Sequence, residues 1–127
     1  MSHEYDEPFL PAPIISTQLI SHYHQVFIDD DITHPRNYRQ IQSVLSLAME
    51  GDTVDFIINS RGGRLSTAGA LIQAMISTQA KTRAIIVGDC MSAATLLMLE
   101  CDEIVVTDAA RVMLHSVTFG AYGKSHD

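Results

Sequence analysis

Three short, nearly continuous apolar runs constrain this chain more than any other feature: Val26-Phe27-Ile28, Val54-Asp55-Phe56-Ile57-Ile58 and Ala84-Ile85-Ile86-Val87. Each is followed by a turn and then by a stretch with helical apolar spacing. Strands buried on both faces read as such runs, and strands that alternate with helices imply a largely parallel sheet covered by helices. The expected class is α/β.

Within the first unit, the acidic turn Asp29-Asp30-Asp31 leads to Thr33 as a cap and Pro35 as a first-turn residue. Ile41, Val44, Leu45 and Ala48 share one face of the helix that follows, and Gly51 ends it. In the second unit Asn59 to Gly63 forms a tight loop. A helix from Thr67 to Gln79 then buries Leu71, Ile72, Met75 and Ile76. The third unit has its loop at Gly88 to Met91 and its helix from Ser92 through Leu99, with further strands at Ile104-Val105-Val106 and Arg111-Val112-Met113-Leu114. Residues 1–20 carry Pro8, Pro11 and Pro13 without a period and read as an N-terminal arm; residues 21–127 read as one domain. A domain of this plan continues into another helix and strand after the Gly-containing stretch Phe119 to Asp127, so a C-terminal truncation is expected.

Composition narrows the function classes. A chain of 127 residues holds one domain at most. With 46% apolar and 18% charged residues it is expected to fold rather than remain disordered. A net charge of -7, with eight scattered basic residues, argues against a nucleic-acid surface. Cys90 and Cys101 offer neither a disulfide framework nor metal-ligand spacing, which fits a reducing compartment. The acidic N-terminus is unlike a signal peptide, and no run approaches membrane-spanning length, so a cytoplasmic protein is expected.

Ligands in parallel α/β sheets sit at the carboxyl edge of the strands. Two segments belong to that edge. Asn59-Ser60-Arg61-Gly62-Gly63 has adjacent glycines that permit a sharp turn and exposed amides, with a plain turn as the alternative; the glycines at 62, 63 and 69 lack dinucleotide-binding spacing. In Gly88-Asp89-Cys90-Met91-Ser92-Ala93-Ala94, Ser92 stands where a strand-turn gives way to a helix. Unpaired helix amides favour developing negative charge there, which suits a nucleophile with the Ala93 amide as oxyanion donor; the alternative is a serine that only caps the helix. Of six histidines, His115 ends an apolar strand and so reaches the same edge as Ser92, whereas His3, His22, His24, His34 and His126 lie at chain ends, before the first strand or at a helix start. Cys90 is a rival nucleophile, but a small buried cysteine is its default reading.

Four blocks, Phe56-Ile-Ile-Asn-Ser-Arg-Gly-Gly, Ser66-Thr-Ala-Gly-Ala, Gly88-Asp-Cys-Met-Ser-Ala-Ala and Arg111-Val-Met-Leu-His115, resemble the proteolytic subunit of the ATP-dependent Clp protease in order and nearly in spacing, over about residues 26–123. The resemblance implies a crotonase-like fold of stacked strand-strand-helix units. It implies a serine endopeptidase in which Ser92 is the nucleophile and His115 the general base. It also implies an oxyanion hole of the Gly63 and Ala93 amides, and main-chain pairing of substrate around Arg64 and Leu65. The implied assembly is a homo-oligomeric ring fed with unfolded polypeptide by a Clp-type ATPase, without metal or organic cofactor.

The chain departs from that family at Arg61, where Pro is usual, at Ala93-Ala94, where Met-Gly is usual, and in a loop one residue longer between Gly63 and Gly69. The family's orienting Asp lies beyond a further helix and strand, and Asp127 comes too soon after His115 to match it. A catalytically impaired or structural Clp-like subunit is the first alternative. An acyl-CoA enzyme of the same broad fold is a second. A serine-lysine peptidase relying on Lys81 or Lys124 is a third.

Overall fold

The computed structural model describes residues 16–17 and 20–114. His115, most of the expected N-terminal arm and Lys124 lie outside the described residues. The element order is β1 (Tyr23–Asp29), a 3-10 turn (Pro35–Tyr38), α1 (Arg39–Leu47), β2 (Thr53–Ser60), α2 (Leu65–Ser77), β3 (Lys81–Met91), α3 (Ala93–Glu100), β4 (Glu103–Val106) and β5 (Arg111–Met113).

All strand pairings among the described residues are parallel, in the order β1-β2-β3-β4, with β5 also paired to β3. The long strand β3 serves two partners in succession. Arg83 to Ile86 pair with β4, and Asp89 to Met91 pair with β5. Residues Gly88 to Met91, expected as a loop, therefore continue the strand. Likewise β2 extends through Ser60, two residues beyond its apolar run. Hydrogen-bond partners decide both cases, and apolar patterning carries no record of them.

The helices cover one face of the sheet. Val26, Ile28, Val54, Phe56, Ile58, Ala84 and Ile86 point into a single core with Leu45 and Ala48 from the first helical segment, Ala68, Leu71 and Met75 from α2, and Ala94, Leu97 and Met98 from α3. Fully burying a side chain of the size of Phe56 or Leu71 contributes roughly 1.5–3 kcal/mol. On the opposite face Phe27, Ile57, Ile85 and Val105 stand in register across four strands, and Phe27 is 59% exposed. The apolar runs are continuous because both faces carry apolar residues, although helices pack on one of them. Beside that row Asp55, 2% exposed, accepts two hydrogen bonds from Arg83 at 2.7 Å, and the Tyr23 hydroxyl also donates to it.

Local details refine the expected boundaries. His34, not Thr33, caps the 3-10 turn through its Nδ1, which accepts the Arg36 N–H at 3.1 Å, while Pro35 takes the first position as expected. The helix α1 ends at Leu47, and Gly51 instead supplies a positive φ in the following turn. Ile76, assigned to the buried face of α2, is exposed, and Thr67 and Ala68 are buried in addition to Leu71 and Met75.

Candidate active site

Ser92 occupies the junction between β3 and α3 with φ 55° and ψ -125°. A non-glycine residue with positive φ is uncommon, and such a conformation costs about 1–3 kcal/mol. Ser92 stands at the N-cap position, yet its side chain makes no capping hydrogen bond. The reading of Ser92 as only a helix cap is thereby set aside. A sharp strand-to-helix turn of this kind lifts a hydroxyl out of the backbone at the carboxyl edge of a sheet. The Thr95 N–H and the Thr95 hydroxyl both bond to the Ser92 carbonyl, fixing the turn from its helical side.

The Gly62-Gly63 loop approaches this serine closely. A Cβ on Gly62 would lie 2.7 Å from Ser92 Cβ, 2.9 Å from the Met91 carbonyl oxygen and 3.1 Å from Ala93 N. Gly62 has φ 109° and Gly63 φ 152°, so both requirements, space and left-handed backbone, point to glycine. On its other side the loop is tied to Ile32: the Ile32 N–H donates to the Gly62 carbonyl at 2.8 Å, and the Arg64 N–H donates to the Ile32 carbonyl at 2.9 Å. In a parallel bridge of this pattern the middle residue, here Gly63, turns its own N–H and C=O away from Ile32. Gly62 and Ser92 are in contact, and Ala93 begins α3. The structure thus brings Ser92, Gly63 and Ala93 to one edge.

At Arg64 and Leu65, the expected substrate-pairing positions, part of the backbone is already engaged within the chain. Leu65 is the first residue of α2, and both backbone groups of Arg64 are committed, the N–H to Ile32 and the carbonyl to the Ala68 N–H. The helix starts at Leu65, and Arg64 alone stands in extended conformation between it and Gly63. The outward-facing groups of Gly63 are the ones this loop offers.

Two rivals from the sequence are resolved by position. Lys81 begins β3 and pairs with Glu103 at 2.6 Å, whereas Ser92 follows the other end of that strand, about 36 Å away along it at ~3.3 Å per residue. Cys90 is fully buried, and burial pushes its thiol up to about 11. Neither a lysine base at Lys81 nor a thiolate at Cys90 is supported. His22 and His24 lie at the amino edge of β1. β5 pairs Met113 with Met91, so the strand that leads towards His115 ends alongside the strand that leads into Ser92.

Three supports of the site were not identified from the sequence. Asn59 Oδ1 accepts the Asp89 N–H at 3.0 Å, filling a break in the β2–β3 ladder. A side chain at Gly88 would collide with Asn59, at 2.3 Å from Oδ1. Ser60, 1% exposed, accepts the Gly62 N–H at 3.1 Å. A serine two residues before a glycine is a local turn signal that could have indicated the last of these.

Among the described residues no group of three or more His, Cys, Asp or Glu side chains could hold a metal ion, and no helix is long and apolar enough to cross a membrane.

A parallel sheet delivering a strained serine between strand and helix, against a glycine loop whose Gly63 amide faces away from Ile32, defines an α/β protein. The chain belongs to the Clp protease family, whose family model matches residues 14–127. Solved structures share the fold. A ClpP1 mutant from Listeria monocytogenes is 19% identical with TM-score 0.54, over 61% of this chain and 46% of that one. The ClpP protease catalytic domain from Plasmodium falciparum is 14% identical with TM-score 0.53, over 64% and 53%. A mutant of the 1510-N membrane-bound stomatin-specific protease is 15% identical with TM-score 0.56, over 72% and 45%. The fold is thus of the Clp, crotonase-like type, and the chain spans about half the length of the solved structures that it matches. No curated protein sequence matched the chain.

Proposed function

We propose that the chain is a serine endopeptidase subunit of a Clp-type protease, cleaving unfolded polypeptides through an acyl-enzyme with Ser92 as nucleophile. The observation that carries this reading is the backbone of Ser92, held at φ 55° against Gly62 with no capping bond from its hydroxyl. Strain of this kind persists where the surrounding structure enforces it, and a serine with only a capping role would not require it.

In this mechanism His115 removes the Ser92 proton as Oγ attacks the substrate carbonyl carbon. The Gly63 and Ala93 amides receive the charge that develops on the carbonyl oxygen. His115 then donates the proton to the leaving amine, and the peptide bond breaks. Water, deprotonated by His115, attacks the acyl-enzyme and restores Ser92. Support for His115 comes from the Met91–Met113 pair, one residue before Ser92 and two before His115. A homo-oligomeric ring in the cytoplasm, supplied with substrate by a Clp-type ATPase, completes the proposal.

Labelling with a fluorophosphonate probe tests it, with peptide mass mapping and Ser92→Ala as control. Label on Ser92 is the expected result. A chain that folds and takes no label would instead be assigned as a structural Clp-like subunit.

A further inference from the structure

We infer that Ser60 is a positioning residue that sets the direction of the Gly63 amide; the inference rests on the serine-peptidase reading above. Ser60 stands where the two halves of the site are joined. Its Cα partner across the ladder is Cys90, two residues before Ser92, and its side chain reaches forward to Gly62, next to Gly63. The register shifts at this point: from Ile58 to Ser60 is two steps on β2, whereas their partners Ile86 and Cys90 are four steps apart on β3.

The hydroxyl accepts the Gly62 N–H at 3.1 Å and lies 3.5 Å from the Gly62 carbonyl oxygen. That carbonyl also accepts the Ile32 N–H at 2.8 Å. Gly62 is therefore held at both its amide and its carbonyl, and its carbonyl belongs to the same planar peptide unit as the Gly63 N–H. Gly62, with φ 109°, has wide conformational freedom of its own. Restraint must come from partners. Packing alone would be satisfied by alanine at this 1%-exposed site, but alanine would leave the buried Gly62 amide without its acceptor. An oxyanion donor works by being aimed before the reaction, so a loosened Gly63 amide lowers the rate of the chemical step more than it weakens peptide binding.

The test compares the full chain with Ser60→Ala and Ser60→Thr. The measurements are the fluorophosphonate labelling rate, kcat and KM on a fluorogenic peptide, and the affinity of a peptide boronate, whose tetrahedral adduct places an oxygen in the oxyanion hole. For Ser60→Ala, labelling and kcat fall roughly 10- to 100-fold with KM little changed, and boronate affinity falls in parallel. Ser60→Thr, which keeps the oxygen, restores most of the rate. Labelling of Ser60→Ala at the wild-type rate overturns the inference and leaves the peptidase reading intact. Equal losses in both variants that follow unfolding by circular dichroism also overturn it, as a purely structural role. Absence of Ser92 labelling in the wild-type chain removes the peptidase reading and this inference together.

Discussion

Gly62 lies against Ser92 so closely that a Cβ on the glycine would stand 2.7 Å from the serine Cβ. Both residues have positive φ, and the contact joins the end of β2 to the elbow after β3. Gly62→Ala meets Ser92, the Met91 carbonyl and left-handed backbone at once. It is expected to abolish Ser92 labelling and to destabilise the fold by about 1–3 kcal/mol, measured by urea unfolding. Retained labelling at wild-type rate would show that the contact is not needed to shape the elbow.

The strain at Ser92 has a thermodynamic signature. Glycine adopts the Ser92 conformation without the steric penalty but adds entropy to the unfolded chain. Ser92→Gly is therefore expected to raise stability by about 1 kcal/mol over Ser92→Ala while both variants lose labelling. Equal urea midpoints for the two would mean that little strain resides at this residue.

Asp55 and Arg83 give a pH dependence with a defined sign. Hydrogen bonds from Arg83 are the largest cause holding the Asp55 carboxyl below its ordinary range, and the Tyr23 hydroxyl acts in the same direction. A carboxyl depressed in the fold stabilises above its unfolded value, near pH ~3.9, and that contribution is lost as pH falls through the lower folded value. Asp55→Asn is expected to cost about 1–3 kcal/mol at neutral pH, with the gap to wild type closing as the solution is taken below about pH 4. A gap independent of pH would assign the loss to packing instead.

Cys90 and Cys101 are both buried, and burial is the main reason their thiols rise to about 11 and about 12. Since the thiolate is the reactive form, neither should react with a maleimide at neutral pH in the folded chain. Both should react on unfolding in urea. Rapid native labelling at Cys90 would reopen it as a nucleophile.

How far the site was legible depends on the range of each interaction. The contact between Gly62 and Ser92 joins residues thirty positions apart, and neither the glycine pair nor the strand-to-helix serine specifies which strands lie side by side. The surroundings of Arg64 and Leu65 were illegible for the same reason: the bridge from Ile32 takes the Arg64 amide, and α2 begins at Leu65. Lys81 was excluded once β3 was seen to separate it from Ser92 by its full length.

What the sequence by itself determined is the succession of three apolar strands and three helices, the placement of Ser92 between a strand and a helix, and the ordered blocks of the Clp protease family. These depend on near neighbours, because apolar periodicity and turn residues act within a few positions. Only the tertiary structure decided that Gly88 to Met91 remain strand, that the helices cover one sheet face, and that Ser60 holds Gly62 beside Ser92. The register of β2 on β3 produces these arrangements, and register is set by hydrogen bonds and packing between segments about thirty residues apart.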